Sequence, residues 1–139
     1  MMYSFWNIAL IILAATVAPA LRGFAACNAV LIMVYTHAMT TLDPEGSRRV
    51  FESNGVSDKR VMYIVDFTTH IVPFLFIIKW FHEIKWQHII ICLTTALSYA
   101  LLIDNKAVYG IESTKRISTN GIVMTTSFLT AATMAITCR

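Results

Sequence analysis

Val61–His88 reads VMYIVDFTTHIVPFLFIIKWFHEIKWQH. The run from Val61 to Phe81 is long and apolar enough to cross a bilayer, which takes about 20 residues. It closes in a belt of Lys79, Trp80, Phe81, His82, Glu83, Lys85, Trp86 and His88. Indoles and long cationic side chains favour the membrane–water interface, so Trp80, Trp86, Lys79 and Lys85 read as interfacial anchors. Asp66 and His70 lie inside the apolar run, where an ionisable group costs a few kcal/mol (~2.5–3.5 on insertion scales) unless it faces protein or water.

Composition agrees. The chain has 139 residues, 57% of them hydrophobic and 14% charged, with a mean hydropathy of +0.64. Soluble domains carry about 25% charged residues, so this chain has apolar side chains to spare for lipid. The net charge of +3 is scattered, with no basic run interleaved with aromatics, which argues against nucleic acid as a partner. Cys27, Cys92 and Cys138 form no C-x-x-C pair and read as buried free thiols.

Working outward predicts an all-α, polytopic membrane domain of five spans, near residues 3–21, 23–42, 61–81, 87–103 and 120–138, with polar connections at 43–60 and 104–118. Residues 5–17 have the length of a signal-peptide core, and Ala18-Pro19-Ala20 resembles a cleavage site. No Lys or Arg precedes that core, so it reads as the first membrane helix. A tight turn at Pro19–Gly23 makes a hairpin of the first two spans. One unbroken helix over both would be about twice the bilayer's thickness. Ala14 and Ala18, then Ala25 and Ala29, are spaced for close helix approach, as are Ala131 and Ala135. In the first connection, Asp43-Pro44 starts a short interfacial helix over Pro44–Ser53, with Val50 and Phe51 toward lipid, and Asn54-Gly55 stops it. A β-hairpin turning at Asn54-Gly55 is the alternative. If the first segment does not cross, four spans remain.

Charge sets the orientation. Arg48, Arg49, Lys59, Arg60, Lys106, Lys115 and Arg116 fall on one side, and Arg22, Lys79, Lys85 and Arg139 on the other. The positive-inside rule places the first group in the cytoplasm, hence a cytoplasmic N-terminus and a C-terminus across the membrane.

Depth brings polar residues together. His37, Asp66 and Tyr99 each lie about five residues in from the cytoplasmic ends of their spans, about 7–8 Å down. Thr125 and Thr126 sit at similar depth, with His70 one turn below Asp66. Such a layer serves as a hydrogen-bonded staple between helices, as a proton relay, or as a metal site. His37, Asp66 and His70 are few ligands for zinc, and D-x-x-x-H is a weak pattern. His82, Glu83 and His88 are a weaker surface set. Arg22, between two helices, is either a solvated turn residue or a holder of lipid phosphate.

No nucleotide-binding loop, H-E-x-x-H or G-x-S-x-G is present. No cofactor is implied and the balance leans away from an enzyme. The expected role is a structural or assembly subunit of a larger membrane complex, in an organelle or a virion's internal membrane. Its partners would be the bilayer and other membrane subunits or copies of itself. A small ion or proton channel using His37, Asp66 and His70 is the alternative, and a metal-dependent membrane enzyme the third.

Overall fold

A computed structural model describes residues 2–102, with backbone alone for residues 2, 3, 96, 97 and 99–102. Among these residues every regular element is helical and none is a strand. Helix α1 spans Met2–Thr16. It stops because Pro19 pushes the preceding Ala18 out of the helical region, to φ −127° and ψ 71°. The Val17 and Ala18 N–H groups both close onto the Leu13 carbonyl at 2.9 Å. One 3-10 turn, Pro19–Leu21, reverses the chain, and α2 runs from Arg22 to Leu42. The hairpin is therefore real, with its turn about two residues earlier than expected. Helix α1 has 15 residues and is shorter than the first predicted span.

Helix α3, Pro44–Ser53, has the bounds and the signals that the sequence predicts. The Asp43 carboxylate accepts from the Gly46 N–H at 2.9 Å, satisfying one of the open donors of the first turn. Gly55 ends the helix at φ 80°, a left-handed conformation that favours glycine. No β-hairpin forms there.

Asp58 caps the next helix by accepting from Arg60 N–H at 2.7 Å. From Lys59 to Glu83 the chain is one rod of 25 residues, but not a uniform one. It comprises α4 (Lys59–Asp66), a π-helical turn (Phe67–Ile71), α5 (Val72–Ile77) and a 3-10 segment (Ile78–Glu83). Pro73 explains the irregularity. It has no N–H for the carbonyl four residues back, and its ring crowds that carbonyl. The helix widens instead, and Val72 N–H reaches back to the Phe67 carbonyl. Extended backbone at Ile84 breaks the rod, and α6 follows over Trp86–Leu102. The predicted connection at 104–118 and the fifth span at 120–138 lie outside the described residues.

Helix α2 is the centre of the packing and touches α1, α5, α6 and the 3-10 segment. Ala14, Ala25, Ala26, Cys27 and Val30 are fully enclosed, with Ala29, Ile77, Ile84, Ile89 and Cys92. Ala14, Ala25 and Ala29 do what their spacing predicts and let backbones approach; Ala18 is half-buried, and Ala131 and Ala135 lie outside the described residues. Among the described residues, two helices are long and apolar enough to cross a membrane, Pro19–Leu42 and Lys59–Glu83. They differ in surroundings: 44% of the apolar stretch is buried in the first and 17% in the second. Tyr63, Ile64, Phe67, Leu75, Phe76 and Ile78 of the second face outward.

Candidate functional site: a hydroxyl–imidazole–carboxylate line at the π turn

Asp66 ends α4 and His70 lies in the π turn four residues on. The His70 Nδ1 is 2.9 Å from Asp66 Oδ1, and its Nε2 is 2.9 Å from Ser4 Oγ in the first turn of α1. A carboxylate oxygen accepts, so the Nδ1–H donates to Asp66. Thr69 Oγ1 donates to the Val65 carbonyl at 2.7 Å. Its oxygen, 3.2 Å from Nδ1, therefore shares the same N–H. Nε2 pairs with the Ser4 hydroxyl, which donates to a neutral ring and accepts from a charged one.

The line runs from a buried hydroxyl to a partly open carboxylate. Ser4 is 8% exposed, the His70 side chain 9% and the Asp66 side chain 25%. Asp66 opens onto a groove also lined by His37, Tyr63, Ile64, Phe67 and Ile71. Two expected members of the polar layer thus share one groove, although His37 itself bonds the Met33 carbonyl of its own helix at 3.0 Å. The side chain of Tyr99 and the whole of Thr125 lie outside the described residues. His37, Asp66 and His70 do not close into a metal site: among the described residues no three His, Cys, Asp or Glu side chains converge.

A second polar contact crosses the α1–α2 hairpin. Asn28 donates from its side-chain amide to Asn7 Oδ1 at 2.9 Å, and both residues are buried. Neither Ser4 nor the two asparagines stand out as candidates in the sequence. They are uncharged, and their cost in an apolar run is modest. A signal was present, however. Asn7 and Asn28 are lone amides at nearly equal distances from Ala18, so a hairpin turning there brings them level.

The predicted interfacial anchors divide. Lys79, Lys85 and Trp86 are exposed, whereas Trp80 is buried against the helix core. Arg22 is not a fully solvated turn residue: it is partly buried, with its guanidinium carbon 5.6 Å from the centroid of Trp80. Cys27 and Cys92 are free and buried. The Cys92 thiol points to the Phe24 carbonyl, with Sγ 4.0 Å from the oxygen.

The chain matches no family model, no curated protein and no solved structure.

Proposed function

We propose that this chain is a small multi-pass membrane protein of five spans that serves as a structural or assembly subunit of a larger membrane complex. An organellar assembly and the internal membrane of a virion are both suitable settings. The observation that carries this reading is the rod Lys59–Glu83. It is membrane-length, mostly uncovered by the other described residues, and lined outward by bulky apolar side chains. Lipid and partner helices are the surroundings that accept such a face, because apolar patches of this extent are rare on soluble monomers. In this reading Asp66, His70 and Ser4 are a staple that fixes α1 against the rod, each bond contributing about 0.6–2 kcal/mol.

The test is the native mass of the gently solubilised protein, with co-purifying chains identified. A large particle holding several different chains is expected. A small homo-oligomer with nothing else bound would sink the subunit reading.

One observation favours a second reading, a proton pathway. The Ser4–His70–Asp66 line is a continuous hydrogen-bonded path of the kind a proton relay needs, and its carboxylate opens on the groove that His37 also lines. Asp66→Asn separates the two. As a staple, Asp66 is missed in stability while ion flux in liposomes is unchanged; as a relay, flux falls and the fold persists. A metal-dependent enzyme stands behind both, since the described residues bring no third ligand to Asp66 and His70.

A further inference from the structure

Three segments distant in sequence meet at the turn end of the bundle. The first residues of α2 bring Arg22 and Gly23, the 3-10 segment brings Lys79 and Trp80, and the start of α6 brings His88. Gly23 sets how close they come. A Cβ there would collide with the Glu83 backbone carbonyl and lie 2.5 Å from the His88 ring.

This junction gathers positive charge around one indole. The Arg22 guanidinium carbon and Lys79 Nζ each lie 5.6 Å from the centroid of Trp80, so no more than twice that distance separates them. Lys79 also lies 4.5 Å from the Phe76 ring centroid. Among the described residues no carboxylate is within ion-pairing distance of either cation. The described pairs are Arg48–Glu52 and His70–Asp66, both elsewhere. Arg22 Nε is shielded from solvent and has no hydrogen-bond partner among the described residues. An indole face attracts cations but offers no lone pair to an N–H. The guanidinium therefore carries a desolvated, unpaired Nε on a side chain that is itself only partly buried, beside a second cation. An oxyanion that meets the open part of the guanidinium offsets that desolvation through charge-assisted hydrogen bonds.

We infer that Arg22, supported by Lys79 across Trp80, binds the phosphate of an anionic phospholipid of the phosphatidylglycerol type. The inference rests on the membrane reading above. Lys79, Lys85 and exposed Trp86 make this end an interfacial belt, where lipid phosphate is the abundant oxyanion. A headgroup with net negative charge fits better than a choline headgroup, whose own cation would approach Lys79.

The experiment uses the full chain in detergent. Binding of short-chain phosphatidylglycerol and phosphatidylcholine is titrated by native mass spectrometry, with and without inorganic phosphate. Phosphatidylglycerol is expected to bind more tightly. Arg22→Gln and Lys79→Gln should each reduce that preference about fivefold, the worth of one basic residue at an anionic surface. Arg22→Lys, which keeps the charge and loses the fork, should fall between wild type and Arg22→Gln. Lys79 is exposed, so its variant keeps the test open if Arg22→Gln fails to fold. Unchanged lipid preference in the Lys79 and Arg22 variants overturns the site. Displacement by inorganic phosphate at millimolar levels assigns it to a free anion and overturns the lipid. Flotation with neutral liposomes checks the parent reading separately. A chain that floats yet shows no headgroup preference has lost the site and kept the membrane.

Discussion

Asn28 and Asn7 are the residues whose loss the fold should feel most sharply. Their amides are buried at 2% and 1% exposure and bonded across the hairpin at 2.9 Å. Replacing one leaves the other desolvated without that partner, which costs more than the bond itself returns, about 1–3 kcal/mol. Asn28→Leu, close in shape, is expected to destabilise the protein by that amount in denaturant titration in detergent. The double variant Asn7→Leu/Asn28→Leu should recover much of the loss. If the two effects simply add, the asparagines do not act as a pair. These residues also mark the limit of the sequence at this scale. Asp66 and His70 are legible because ionisable groups in an apolar run demand a reason. Asn7, Asn28 and Ser4 are small neutral side chains, and their importance comes from where a turn, fixed by Pro19, happens to align them.

Among the elements, the π turn carries the clearest dependence of site on backbone. The sequence announces a disturbance at Pro73, and a kink is its ordinary form. A widened turn forms instead, which a proline alone does not specify. The Thr68 and Thr69 hydroxyls satisfy the Ile64 and Val65 carbonyls at 2.7 Å, so backbone groups near the irregularity stay paired without regular helix geometry. The extra residue in the turn changes the angular setting of everything N-terminal to it, including Asp66. Pro73→Ala removes the steric reason for the turn and lets the rod revert toward a regular α-helix. The expected result is loss of coupling between Ser4 and His70. A double-mutant cycle with Ser4→Ala and His70→Ala should give about 0.6 kcal/mol in the parent and close to zero in the Pro73→Ala background. Equal coupling in both would mean that tertiary packing, not proline, holds the turn. Helix α3 is the opposite case. Its bounds were readable because cap, proline and glycine each act locally, and Asp43→Ala should cost about 1 kcal/mol, seen as faster amide exchange at Gly46.

At the scale of the whole molecule the proposed five-span reading fixes which side of the bilayer each connection occupies, and two positions test it. Connection 43–60 carries Arg48, Arg49, Lys59 and Arg60 next to the ends of α2 and the rod, so positive-inside reasoning puts it in the cytoplasm whether four or five spans form. Helix α1 packs against α2 as an antiparallel hairpin. Its 15 residues give about 22 Å of helix, short of the ~30 Å hydrocarbon core, yet Phe5, Trp6, Ile12 and Leu13 point outward from it. An apolar exterior on so short a helix suits a span completed by local thinning of the bilayer. If α1 crosses, the N-terminus shares a side with residues 43–60; if it does not, the N-terminus lies with Arg22. With the chain expressed in the plasma membrane of a host cell, single cysteines introduced at Met2 and Ser57 of a chain with its native cysteines replaced, labelled by a membrane-impermeant maleimide, read this directly. Both should stay protected in sealed cells and react after permeabilisation. Labelling of the Met2 position alone in sealed cells would reduce the protein to four spans. Labelling of the Ser57 position would invert it, and would carry Arg22 and Lys79 to the cytoplasmic leaflet.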